Sequence, residues 1–149
     1  MIATRLVGIR GLAPPPPAII LPDGRVATQC GNPSRGTNEL RIEVYSPSYM
    51  TRKRPVIQSA PTNIGYGSTF SIGTNSNIKW VSLIRPSATT HSMDTEQRLI
   101  DLPITSKRNA AALTVSVTGN RNLAAPGWYM LFLTDSSGTP STAAWVRLS

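Results

Sequence analysis

The side chains best suited to chemistry gather in one stretch, Thr89-Thr90-His91-Ser92-Met93-Asp94-Thr95-Glu96-Gln97-Arg98. His91 is the chain's one histidine, and an imidazole can ligate a metal or move a proton near neutral pH. Asp94 and Glu96 stand two apart, so an extended segment points both to one side. They lack a neighbouring nucleophile and an oriented partner, which predicts solvated loop charges with Arg98 as counter-ion. Ser87, Ser92 and Ser141 complete no Ser-His-Asp arrangement with His91. A tight metal site needs several converging donors, so one imidazole binds a metal weakly and without selectivity. Read blind, His91 is a solvated or structural histidine. The single cysteine, Cys30, cannot form an internal disulfide and reads as a small buried or half-buried thiol.

The elements that must position these residues are strands. Segments 18–21 and 25–28 flank Pro22-Asp23-Gly24, where Pro presets φ, Asp caps and Gly supplies positive φ, predicting a hairpin. Leu40-Arg41-Ile42-Glu43-Val44 alternates apolar and charged residues as a one-sided strand does. After a boundary at residues 47–54, short strands are predicted near 55–60, 67–72, 78–85, 97–102, 112–118, 127–134 and 142–148. Asn75-Ser76-Asn77, Lys107-Arg108-Asn109, Gly119-Asn120-Arg121 and Ser136-Ser137-Gly138 supply turns between them. About seven strands without helical periodicity predict an all-β, immunoglobulin-like sandwich. Leu113, Val115 and Val117 should share one sheet face. Trp80, Trp128 and Trp145 fall in strands and are expected in the core or at sheet edges; exposed in a row, they would instead form a ligand platform. Residues 86–96 make a polar connection longer than an ordinary hairpin loop. They predict a protruding, exposed arm with His91 near its tip, titrating at about 6.5.

Net charge is +8, but only Arg52-Lys53-Arg54 forms a run and no nucleic-acid-binding motif is present, so a solvated basic surface is expected and nucleic acid is not. No apolar stretch approaches the roughly 18 residues of a membrane span, and no membrane partner is expected. Residues 1–12 are interrupted by Arg5 and Arg10, unlike the unbroken apolar region of a signal peptide. Pro14-Pro15-Pro16-Pro17 ends a leader, residues 1–17, expected to be extended or disordered.

An ordered set of fragments resembles one family. They include Leu21-Pro22-Asp23-Gly24-Arg25, Gly31-Asn32-Pro33, Ile42-Glu43-Val44-Tyr45-Ser46-Pro47, Arg54-Pro55-Val56-Ile57, Tyr66-Gly67-Ser68-Thr69-Phe70, the histidine block, and Ala125-Pro126-Gly127-Trp128-Tyr129. Together they resemble the C-terminal part of the galactose oxidase and glyoxal oxidase family of copper-radical oxidases. The resemblance implies an early set, immunoglobulin-like sandwich over residues 47–149, preceded at 18–46 by the closing strands of a kelch-type β-propeller's last blade. It makes His91 a copper ligand carried on a loop into the propeller. The family's other ligands are a second histidine and two tyrosines, one tyrosine thioether-linked to a cysteine. That cross-linked pair belongs to propeller sequence absent here, and the remaining Tyr-His-Ser step falls on Pro14, Pro15 and Pro16. The resemblance thus implies an incomplete copper site, with copper not held tightly by this chain alone, no catalysis by it, and a propeller partner in cis or in trans. It also implies an extracellular setting. Two other readings stay open: a stand-alone sandwich that binds carbohydrate or protein, and an oxidase assembled in trans with a separate propeller chain.

Overall fold

Apolar residues recur at every second position in Val81/Leu83, Leu113/Val115 and Tyr129/Leu131/Leu133, and each set lies buried on the inner face of its strand. The computed structural model describes residues 18–29, 42–90 and 93–149. The leader, Cys30 and His91 lie outside the described residues. A first antiparallel sheet joins β1 (Ala18–Ile20), β2 (Val26–Gln29) and β3 (Ile42–Tyr45) in the order β1-β2-β3. A 3-10 turn, Ser48–Thr51, follows. Then come β4 (Ile57–Ser59), β5 (Asn63–Ile64), β6 (Thr69–Thr74), β7 (Ile78–Arg85), β8 (Thr89–Thr90) and β9 (Met93–Asp94). The last are β10 (Arg98–Asp101), β11 (Ile104–Arg108), β12 (Ala112–Ser116), β13 (Gly127–Asp135) and β14 (Ala144–Leu148).

Two sheets make the immunoglobulin-like sandwich. One has the order β10-β7-β13-β14-β5, the other β11-β12-β6-β4. Their inner faces meet through Val81, Leu83, Ile100, Leu131, Leu133, Val146 and Leu148 on one side and Ile72, Leu113 and Val115 on the other. Burying each such side chain contributes about 1.5–3 kcal/mol. Val117 joins this core, as its two-residue spacing from Val115 predicts.

The structure adds a strand that the sequence pattern hides. β11 carries Thr105, Ser106 and Lys107, all exposed, with Ile104 half-buried. An edge strand that faces water needs no apolar alternation, so its turn chemistry dominates the sequence pattern. The reversal falls at residues 109–111, with Asn109 at φ 54°.

The Pro22-Asp23-Gly24 hairpin forms as its residues predict. Asp23 Oδ1 accepts from Arg25 N at 2.9 Å, and Gly24 has φ 89°. This turn rests on the sandwich. Ala143 N donates to Pro22 O at 2.8 Å, and the Tyr49 hydroxyl donates to Gly24 O. Beside it, Arg54 donates to Pro140 O at 2.8 Å and to Ser141 O at 2.6 Å. The arginine of the family-like Arg-Pro step is therefore a structural clamp and not part of an open basic patch.

Candidate functional site

The arm at residues 86–97 grows out of the β7–β10 hairpin. β7 and β10 pair up to Arg85↔Arg98. Four residues further along both strands, Thr89 pairs with Asp94 and then Thr90 with Met93. The two ladders are in the same register, so the arm continues the hairpin across a short unpaired interval. His91 and Ser92 are the two residues between Thr90 and Met93 and lie outside the described residues. The sequence predicts a polar loop here, and the structure gives a strand pair. Threonine favours extended backbone, which suits β8.

Asp94 organises the interval. Its Oδ1 accepts from Gln97 N at 2.9 Å, Glu96 N at 3.1 Å and Ala88 N at 3.4 Å. Thr95 N and Thr95 Oγ1 both donate to Ala88 O at 3.1 Å. Burial pushes the Asp94 carboxyl upward, but hydrogen bonds from the Ser87 hydroxyl and the amides of Gln97, Glu96 and Ala88 together hold it below the usual carboxylate range. Asp94 is thus a charged cap for the turn. Ser87 serves that cap, and Ser141 is buried with its hydroxyl accepting from Leu133 N at 3.0 Å; both serines act structurally.

Glu96 does not pair with Arg98. It meets Arg85 at 2.5 Å. Arg85 also donates to Ala125 O and Pro126 O and lies 5.8 Å from the centre of the Tyr129 ring. Gly127, at φ 140°, lies beside it, and an added Cβ would sit at ordinary contact distance, 3.7 Å, from the Arg85 guanidinium. Arg98 turns to Asn122 O at 3.0 Å. Both arginines at the last rung of the ladder therefore grip the 122–126 loop. Tyr129 OH donates to Ala125 O at 2.6 Å and Tyr66 OH to Ala124 O at 2.6 Å, which fixes that loop from below.

None of the three tryptophans joins the core. Trp80, Trp128 and Trp145 are 43%, 48% and 45% exposed. Alternation puts them on the outer face of the five-stranded sheet, with Met130 and Phe132, which are buried but lie outside the core cluster. The signal was the unbroken apolar run from Trp128 to Leu133, because a strand apolar on both faces has a second face to account for.

Residues 54–148 match the family described as the galactose oxidase-like early set domain. The chain belongs to the galactose oxidase-like family. It is 32% identical over 143 residues to the galactose oxidase of Gibberella zeae. It is 31% identical over 156 residues to the aldehyde oxidase GLOX1 of Arabidopsis thaliana, and 33% identical over 153 residues to the aldehyde oxidase GLOX of Vitis pseudoreticulata. These matches cover 88–89% of this chain but only 21%, 25% and 29% of those proteins. A solved fungal alcohol oxidase of the AA5 family, in complex with copper, resembles the galactose oxidase-like domain with a TM-score of 0.78 and 29% identity. That likeness covers 90% of this chain and 30% of the solved one. The chain therefore spans between about a fifth and a third of the length of its relatives.

Copper calls for several converging donors. Among the described residues, no three His, Cys, Asp or Glu side chains come together as a metal-ligating group. The Asp94 carboxylate is committed to its own turn. The described residues do not fit a copper site on their own.

Proposed function

We propose that this chain is the non-catalytic C-terminal domain of a galactose oxidase-like protein, which caps a β-propeller and presents His91 to copper ligated chiefly by propeller residues. The observation that carries this reading is the in-register arm. A strand pair braced by Asp94 and by the Arg85–Glu96 contact holds the backbone on either side of His91 to one geometry. Such support is what a ligand delivered to a distant metal requires, because first-shell groups must be held by a rigid second shell.

We read β1, β2 and β3 as the closing strands of the last propeller blade, residues 18–46, and residues 47–149 as the sandwich. All four residues of β3 are exposed, Ile42 to 70%. Propeller sheets bury their faces against neighbouring blades, and an outermost strand this bare is what such a sheet shows without them. The propeller would be supplied in the same polypeptide or by a separate one.

Two measurements test the reading. Copper-loaded chain alone should release no peroxide with galactose, glyoxal or methylglyoxal; turnover that vanishes in His91→Ala would overturn it. Residues 86–97, grafted in place of the matching segment of the Gibberella zeae galactose oxidase, should preserve its copper electron paramagnetic resonance signal. The same graft carrying His91→Ala should lose it. Equal signals from both grafts would show that His91 is no ligand.

A further inference from the structure

Trp80 sits where β7 is irregular. Trp80 pairs with Thr134, but the next pair along is Ile78 with Asp135, so Lys79 is an extra residue between two rungs. Such bulges re-aim side chains. Here Ile78 points into the core while Lys79 and Trp80 are both exposed. The two exposed residues meet the β13–β14 turn in a cleft of about 400 Å³, lined by Lys79, Trp80, Thr134, Asp135, Ser136 and Gly138. That volume falls in the range of small-molecule sites, roughly 300–1,000 Å³.

The indole is held in place. Trp80 Nε1 donates to Asp101 Oδ1 at 2.6 Å, across to β10. Its N–H is thereby satisfied by the protein, and the exposed surface it offers a ligand is aromatic carbon. The turn opposite is equally ordered. Asp135 Oδ1 accepts from Ser137 N, Ser137 Oγ and Thr139 N at 2.9, 2.7 and 2.9 Å, and none of these bonds uses Oδ2. Burial pushes the Asp135 carboxyl upward, but these bonds, with Arg52 nearby, keep it below the usual carboxylate range, so it remains an acceptor at neutral pH.

We infer that this cleft binds a neutral pyranose, its C–H face stacked on the Trp80 indole and its hydroxyls shared among Lys79, Asp135 and Ser136. A pyranose has one apolar face and a rim of hydroxyls that both donate and accept. The cleft offers one aromatic wall, an ammonium donor, a carboxylate acceptor and a hydroxyl that serves either way. A phosphate or nucleotide would meet Lys79 but also the fixed charge of Asp135. A purely apolar ligand would leave both charges desolvated. None of these residues belongs to the arm, so the inference stands or falls apart from copper presentation.

The test uses the full chain with methyl β-galactopyranoside, methyl β-glucopyranoside and cellobiose as probes, followed by amide and indole NMR shifts. At least one probe should give saturable shifts centred on the Trp80 indole N–H and the amides of residues 134–138, with millimolar affinity. Trp80→Ala should weaken binding by about tenfold or more. Lys79→Met, at an exposed position outside the core, should weaken it with the spectrum otherwise unchanged. No saturable shift with any of the three probes would overturn the inference, as would binding that survives Trp80→Ala. Concentration-dependent dimerisation that protects the Trp80 indole and is abolished by Trp80→Ala would assign the face to a protein partner, and would overturn it too.

Discussion

The guanidinium of Arg85 meets the carboxylate of Glu96 across the base of the arm, at 2.5 Å. Arg85 is the last paired residue of β7 and Glu96 lies just before β10, so the contact closes the interval between two ladders that share one register. Arg85 also carries the 125–126 carbonyls, which makes it the more costly of the two residues to lose. Arg85→Ala should destabilise the fold by about 1–3 kcal/mol, because charged hydrogen bonds to backbone are lost together. Glu96→Gln should cost under about 1 kcal/mol, since that carboxylate is partly solvated. Urea titration of both variants checks the order; equal losses would mean that the loop carbonyls contribute nothing.

Acid should loosen the arm before it unfolds the sandwich. The Asp94 carboxyl is held below its ordinary value of 3.8 in the fold. The unfolded arm therefore takes up its proton at higher pH than the folded one. The cap's contribution is complete above the ordinary aspartate range and is lost as pH falls below it. Amide exchange at Ala88, Glu96 and Gln97 should accelerate in that window while Leu131 and Val146 stay protected. Asp94→Ala should reproduce the effect at neutral pH, speeding those amides about tenfold for about 1.4 kcal/mol of lost capping.

Gly127→Ala should be destabilising by about 1–3 kcal/mol, because φ 140° suits only glycine, while the new methyl would meet the Arg85 guanidinium at an ordinary contact distance of 3.7 Å. If strain is the cause, the penalty should persist in an Arg85→Ala background. If crowding is the cause, it should shrink there. Thermal denaturation of the double-mutant cycle separates them.

Trypsin should cut first after Arg52 and Lys53, which are exposed beside the 3-10 turn; the bond after Arg54 resists trypsin in any conformation because Pro55 follows it. Mass spectrometry of the limiting fragment should begin it at Arg54. Protection of both Arg52 and Lys53 would show that the three-stranded sheet and the sandwich form one protease-resistant unit.

Much of the sandwich is legible in the sequence because its buried strands repeat apolar residues at period two, as Val81/Leu83 and Leu113/Val115 do. β11 escapes that reading because it faces water along most of its length. Glu96 was legible as a charge but not as Arg85's partner. The ladder register that brings those two together depends on Asp94 capping, which spacing alone does not reveal. The tryptophans were legible as strand residues. Their outward direction follows from the parity of Tyr129, Leu131 and Leu133, which claim the inner face and leave Trp128, Met130 and Phe132 the other.

The clamp between Arg54 and the 140–141 carbonyls joins positions 86 and 87 residues apart, and β5 pairs in parallel with β14 across a similar separation. Closing loops of that size comes before any contact rewards it, and chains built on such pairings fold in milliseconds to seconds rather than microseconds. During that delay the apolar strand 127–135 can pair locally with β14 but lacks β7 and the opposite sheet, and an apolar strand with an open edge readily joins another chain. Refolding yield should therefore fall steeply with protein concentration, and the arginine that seals the two ends should matter more to the yield of folded protein than to its final stability.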